Sequence, residues 1–476
     1  MAEPSKRTWW IVPYSTGLVA VIAVAAIVIT LQHALASTPA PAAPATATAS
    51  APRGPMPAEE FPNALFSDLT RDIDSQNEAA FLRLASAHAR PAMKTWWDNL
   101  NAIGFTAGAV IPTAASDTVR INGDGNGSTV VLAGAHSPLD PSYQGKPGVP
   151  LERYRIGLHF ASATATGQIT SWQPLDFDPW DDKSGLYVQK NANVVVAGLP
   201  SDGGVVQETL SLAQTAATYD MGLVRQVNPN DLLQTGFIVF VSDDAAVRDG
   251  WFAADAQPKG WPLAWNGDRT FAFAGPGTSP DDYTSAPGGI ADDTTGAARV
   301  VVTPYEQDGE TQEQELMGLE RLFMIDILAA HDQNLLNGPP GPSSTPDAWT
   351  IEGLGLATEA LYAGNNNPAP ATYDWAALTS DLRSLPAAFK TGKLPDAKEL
   401  AGANAGEWNE VAASVYEYIE QKYGINQMFA SAILMWTQFT TPFGNVEDVP
   451  KSNSKTLSFY ARATVEDGWR AWLKRI

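Results

Sequence analysis

The sequence predicts an α+β protein in two bodies behind one membrane-spanning helix, and three observations predict it. Residues 9–31 are uncharged and almost wholly apolar. From residue 61 to about 180, helical spacing of apolar residues comes first and strand-like runs follow. From residue 186 a set of short strand-like runs gives way, after residue 303, to helical patterns that continue to the C-terminus. A chain of 476 residues has the length for two or three domains with real cores.

The apolar run is long enough to cross a hydrocarbon core of about 30 Å as a helix. Lys6 and Arg7 precede it, and the next basic residue is Arg53. Positive-inside asymmetry therefore places a short N-terminal stub in the cytoplasm and the remainder outside the cell membrane. Trp9, Trp10 and Tyr14 suit an interfacial aromatic belt. Ala34-Leu35-Ala36 also resembles a signal-peptidase site, so cleavage after Ala36 is the other reading. The length of the run favours an uncleaved anchor. Residues 37–57 are a Pro/Ala/Thr spacer whose composition buries no core. A net charge of −22 argues against a nucleic-acid partner, which demands a basic surface. The chain has no cysteine, so neither a disulfide nor a lipidated thiol contributes. The expected organisation is stub and anchor at 1–35, linker at 36–60, a first body at 61–183 and a second at 184–476.

In the first body, residues 65–87 have helical spacing, broken by the polar stretch Asp74-Ser75-Gln76-Asn77-Glu78. A Trp-rich helix at 91–103 follows. Strands are expected at 109–112, 117–122, 128–133, 154–161 and 168–176, with a Gly-rich hairpin loop over 122–127 that contains Asp124. His159 reads as a strand histidine satisfied by its neighbours, with a place in an interior cavity as the alternative. Asp176, Asp178, Asp181 and Asp182 form an acidic cluster. It lacks the spacing of a calcium loop, so a solvated loop is the favoured reading.

In the second body, strands are expected at 187–199, 236–241, 270–274 and 298–303, with a helix at 205–224. Helices are then expected at 311–336, 347–362, 375–385, 407–423, 427–439 and 455–474. Thr345 and Pro346 suit a helix start, and Trp349 would staple the entry. Gly353 and Gly355 allow close helix approach.

Two resemblances rest on these residues. Helices first, then a sheet, with D-x-x-N-E-A-A-F-L from Asp74, R-Y-R-I-G-L-H-F from Arg153 and I-T-S-W from Ile169, resembles the nuclear-transport-factor-2-like (SnoaL-like) cone domains. The second body resembles the peptidase MA-like domain of gluzincin zinc peptidases. Trp349-Thr350-Ile351-Glu352-Gly353-Leu354-Gly355 is similar to that family's W-x-x-E-G-L-A segment, and it follows a long helix as the family's H-E-x-x-H helix would. The runs ARVVVTP at 298–304, FKTGKLP at 389–395, VAASVYEYIEQKYG at 411–424 and GWRAWL at 468–473 match further pieces in the family's order. Exported actinobacterial proteins that join a cone to such a domain behind a signal anchor have this layout.

The gluzincin resemblance implies a zinc site, and the residues deny it. Two histidines four apart share a helical face and can grip one ion. The five histidines here are His33, His88, His136, His159 and His331, and no two are four apart. The best-fitting register places Ile325 and Ala329 at the ligand positions, with Asp326 where the catalytic glutamate belongs. Of the family's ligands only Glu352 is retained. His331 reads as a helix-terminal residue. No catalytic residue, no metal and no cofactor are therefore expected, zinc having been lost. The expectation is a membrane-anchored extracellular pseudopeptidase that binds a protein or peptide at the cell surface through a remnant cleft. The alternatives are a metal-dependent hydrolase with a non-standard site around Asp326 and Glu352, and a small-ligand site in the cone.

Overall fold

The structure is a computed structural model. It describes residues 61–112, 120–122, 124–143, 146–147, 152–161, 167–175, 177–227, 232–251, 263–265, 268–273, 297–304, 311–329, 348–366, 375–400, 402–437, 448–450 and 459–476. It is a mixed α+β fold. The expected anchor at 9–31, the spacer, Thr345, Pro346 and His331 lie outside the described residues. Among the described residues no helix is long and apolar enough to cross a membrane.

The first body opens with α1 (Phe61–Asp74) and α2 (Glu78–Arg83), and the polar break falls between them. Gln76 adopts a positive φ of 50° in that turn. Asn77 caps α2 by accepting from the Ala80 amide at 3.1 Å, which satisfies one otherwise orphaned donor. α3 (Arg90–Ile103) begins with proline in its first turn and stops at Gly104, whose φ of 98° suits only glycine readily. A five-stranded antiparallel sheet follows, with the spatial order β1 (Ala107–Pro112), β2 (Asn126–His136), β3 (Glu152–His159) and β4 (Gln168–Pro174) and the short strand Arg120–Ile121 paired to β2. The register of β3 against β4 shifts between Gly157 and Leu158. Such an irregularity bends a strand over the helices it covers. The core between sheet and helices is aromatic: Phe81, Trp96, Trp97, Tyr154 and Trp172 are all buried.

A six-stranded sheet organises the second body. Its strands are β5 (Tyr187–Lys190), β6 (Val194–Gly198), β7 (Phe237–Val241), β8 (Leu263–Trp265), β9 (Asp268–Phe273) and β10 (Ala297–Val302). The order is β8-β9-β10-β7-β6-β5, with β6, β7 and β10 parallel and the outer pairings antiparallel. The expected single strand at 187–199 is a hairpin, turned at Asn191-Ala192-Asn193. The central strands are continuous apolar runs because both of their faces are covered. Val194, Val196, Phe237, Val239, Val300 and Val302 face the helical half. Val195, Ala197, Ile238, Phe240 and Val301 share a core with the first body. The two bodies therefore meet across a continuous apolar seam. A buried ion pair strengthens it: Arg299 of β10 donates to both oxygens of Asp140, one at 3.0 Å, and Asp140 also accepts from the Ser137 amide at 2.7 Å.

The helical half comprises α4 (Gly203–Val227), α5 (Gln312–Ala329), α6 (Ala348–Asn366), α7 (Trp375–Ser384), α8 (Ala405–Tyr423), α9 (Ile425–Thr437) and α10 (Arg462–Leu473). Phe323 of α5 stacks on Phe237 of the sheet at 3.9 Å and 5°. Residues 459–461, expected as helix, form a strand paired with Asp448–Pro450. α6 crosses α8 at Gly353, where an added Cβ would lie 2.6 Å from the Ala412 backbone. No side chain fits there. Tyr416 donates to the Thr350 carbonyl at 2.8 Å and fixes the register of that crossing. Trp349 is buried against Tyr416, with ring centroids 6.2 Å apart.

Candidate functional site

α5 and α6 are helices with apolar residues on nearly every side, as expected of central elements. Polar side chains inside them are therefore conspicuous. α5 buries Glu315, Glu320, Arg321 and Asp326, and α6 buries Thr358 and Glu359. Glu315 accepts a hydrogen bond from Thr209 of α4 at 3.4 Å, and Thr358 donates back to the Leu354 carbonyl within its own helix.

The side chain that meets Glu352 is Arg321. Its guanidinium forms an ion pair with Glu352 and stands 3.7 Å from Glu359. Arg321 is 2% exposed and Glu352 is 15% exposed, so only the carboxylate side of the pair reaches solvent. Glu352 and Glu359 are seven apart and share one face of α6. Gly355 lies between them on that face, where a Cβ would collide with Arg321 Cγ. The arginine is thus laid along α6 in a groove that glycine leaves open, bracketed by two carboxylates. Stripping water from such charges is tolerable only because they neutralise one another.

Arg321 and Ile325 are four residues apart, one turn before the Ile325/Ala329 spacing read from the sequence. Ile325 is 1% exposed and belongs to the apolar core. The Ala329 side chain lies outside the described residues. Asp326 is also buried, at 2% exposure. Among the described residues there is no cluster of three histidine, cysteine, aspartate or glutamate side chains arranged to hold a metal.

A second buried set lies on the α4-facing side of α5. Asp220 of α4 and Glu320 of α5 are both fully buried, and none of their four carboxyl oxygens has a hydrogen-bond partner among the described residues. Burial pushes both carboxyls well above the usual range; for Glu320 the nearby Asp220 and Glu359 carboxyls add to the effect. Two such groups are stable in the interior only when neutral.

In the first body, Asp176 of the acidic cluster lies outside the described residues. Asp182 accepts from the Ser184 amide at 2.8 Å, and Asp178 is fully buried. Asp181 accepts from Tyr154 Oη at 3.1 Å, and Tyr154 Oη accepts from Trp96 Nε1 and Trp180 Nε1, each at 3.1 Å. His159 bonds through Nδ1 to Asn126 at 2.9 Å. Asp124 closes its own loop by accepting from the Asn126 backbone and side chain.

No family model, no curated protein and no solved structure matches this chain.

Sequence reading singled out Glu352, Asp326 and Ile325 and did not single out Arg321, Glu359, Asp220 or Glu320. A signal was available. Glu352 and Glu359 on one face of an apolar helix, with glycine between them, require a long cation from a neighbouring element.

Proposed function

We propose that this chain is a membrane-anchored extracellular pseudopeptidase, a non-catalytic protein that binds a protein or peptide at the cell surface through a remnant cleft on α5 and α6. One observation carries the reading: Arg321 pairs with Glu352, the residue that the gluzincin resemblance would assign to zinc. A guanidinium supplies positive charge and cannot be deprotonated near neutral pH. It holds a carboxylate in place as an ion would, yet it has no open coordination position and cannot lower the pKa of a water molecule. With Ile325 packed in the core one turn on, the helix offers hydrocarbon where a second ligand would be needed. The chemistry left to the cleft is recognition, with the 15%-exposed edge of Glu352 as its accessible acidic point.

Metal content and peptidase activity of the purified full-length protein test this directly. The expected result is no stoichiometric zinc and no cleavage of casein or peptide libraries, with or without added Zn²⁺. Bound zinc together with chelator-sensitive cleavage would establish the rival hydrolase around Asp326 and Glu352.

A further inference from the structure

On the outer face of the first body's sheet, polar side chains gather around Gly157. Along β3, Tyr154, Ile156 and Leu158 are buried in the aromatic core, so Arg155, Gly157 and His159 lie on the opposite face. β4 departs from that alternation. It places Ser171 opposite Gly157 and Ile169 opposite Leu158, which leaves Thr170 as an extra residue. In a regular strand Thr170 and Ser171 would point to opposite sides of the sheet. The bulge brings both hydroxyls to one side instead: a Cβ added at Gly157 would lie 2.5 Å from Thr170 Oγ1 and 2.7 Å from Ser171 Oγ. Only glycine lets the two oxygens close over the strand.

Two more donors border this floor. Ser128 of β2 is directly across from Gly157, and Arg155 is the outward residue that precedes it on β3; both are exposed. Positions so related are about 5 Å and 7 Å apart, within reach of a hydroxyl and a guanidinium. Among the described residues, the side chains of Ser128, Arg155, Thr170 and Ser171 have no hydrogen-bond or ion-pair partner. The acidic residue of the neighbouring hairpin loop, Asp124, is committed to its own turn. It accepts from the Asn126 backbone and side chain, and Asn126 Oδ1 meets His159 Nδ1 at 2.9 Å. Arg155 is therefore a cation without a counter-charge on a chain of net charge −22.

We propose that this patch binds a tetrahedral oxyanion, the phosphate or sulfate group of a monoester. The Thr170 and Ser171 hydroxyls are its floor, Ser128 is one wall and Arg155 supplies the counter-charge. A guanidinium presents a planar fork that matches two oxygens of such a group. The three hydroxyls can donate to the others. The patch lies on the face of the sheet away from the aromatic core, and it does not depend on the reading of α5 and α6.

Isothermal titration of the full-length protein in detergent with sodium phosphate, and separately with sodium sulfate, tests the site against sodium chloride at equal ionic strength. One or both oxyanions should bind with a Kd of about 1 mM, chloride should not, and the tighter of the two identifies the ester. Arg155→Gln should weaken binding about tenfold or more, through loss of its charge-assisted bonds. Thr170→Val combined with Ser171→Ala should weaken it by about the same factor. Arg83→Gln, at an exposed position on α2, should change nothing. No saturable binding of either oxyanion up to about 10 mM, or equal weakening in Arg83→Gln, would overturn the proposal. If the double variant does not fold, the exposed Arg155→Gln decides.

Discussion

The two bodies bury polar groups in different ways. In the first body the interior is aromatic, and one set of its buried polar atoms runs from two indole N–H groups through a phenol to a carboxyl. In the helical half the interior is largely aliphatic, and its buried groups include carboxylates paired with a cation, as in Glu352 and Glu359 with Arg321, and carboxyls with no hydrogen-bond partner among the described residues, as in Asp220 and Glu320. Aromatic side chains carry their own donors into a core, so a relay can be built without net charge. Aliphatic side chains carry none. A polar group among them needs a counter-charge or a proton.

Three substitutions sharpen that contrast. Arg321→Met should have the largest effect, because it leaves Glu352 and Glu359 buried without a cation. A loss of about 3–5 kcal/mol in denaturant unfolding is expected, whereas the same change in an exposed pair would be nearly silent. Gly355→Ala comes next: its methyl must displace the arginine stem from its groove, at about 1–3 kcal/mol. The smallest effect has the opposite sign. Glu320 keeps its proton when folded, and the unfolded chain loses it near 4.5, so stability falls as pH rises above that point. Glu320→Gln removes that dependence and should stabilise the protein at pH 8 by about 1 kcal/mol or more, read as a higher midpoint and a flatter pH profile.

Much of the fold was legible because it rests on local signals. The polar stretch between α1 and α2, the proline start and glycine stop of α3, and the doubly buried run Val194–Gly198 each state their structure within a few residues. The strand at Phe459–Ala461 was not legible, since its partner Asp448–Pro450 pairs with it only through tertiary placement. The hairpin inside 187–199 was missed because Asn191-Ala192-Asn193 lacks a glycine, the usual mark of a tight turn. At the candidate site, Glu352 stood out by its neighbours Trp349 and Gly353. Arg321 did not, because a cation beside a glutamate on a long helix has the pattern of a water-facing pair. What buries it is the packing of α6, which one-dimensional periodicity does not contain.

The central sheet has a practical consequence for anyone dividing this protein. Ile238, Phe240 and Val301 share a core with the first body, and Trp251 covers part of Phe240. A fragment beginning near residue 184 would present that greasy wall to solvent and should stick to its own copies, whereas a cut placed upstream of α1 leaves the wall sealed.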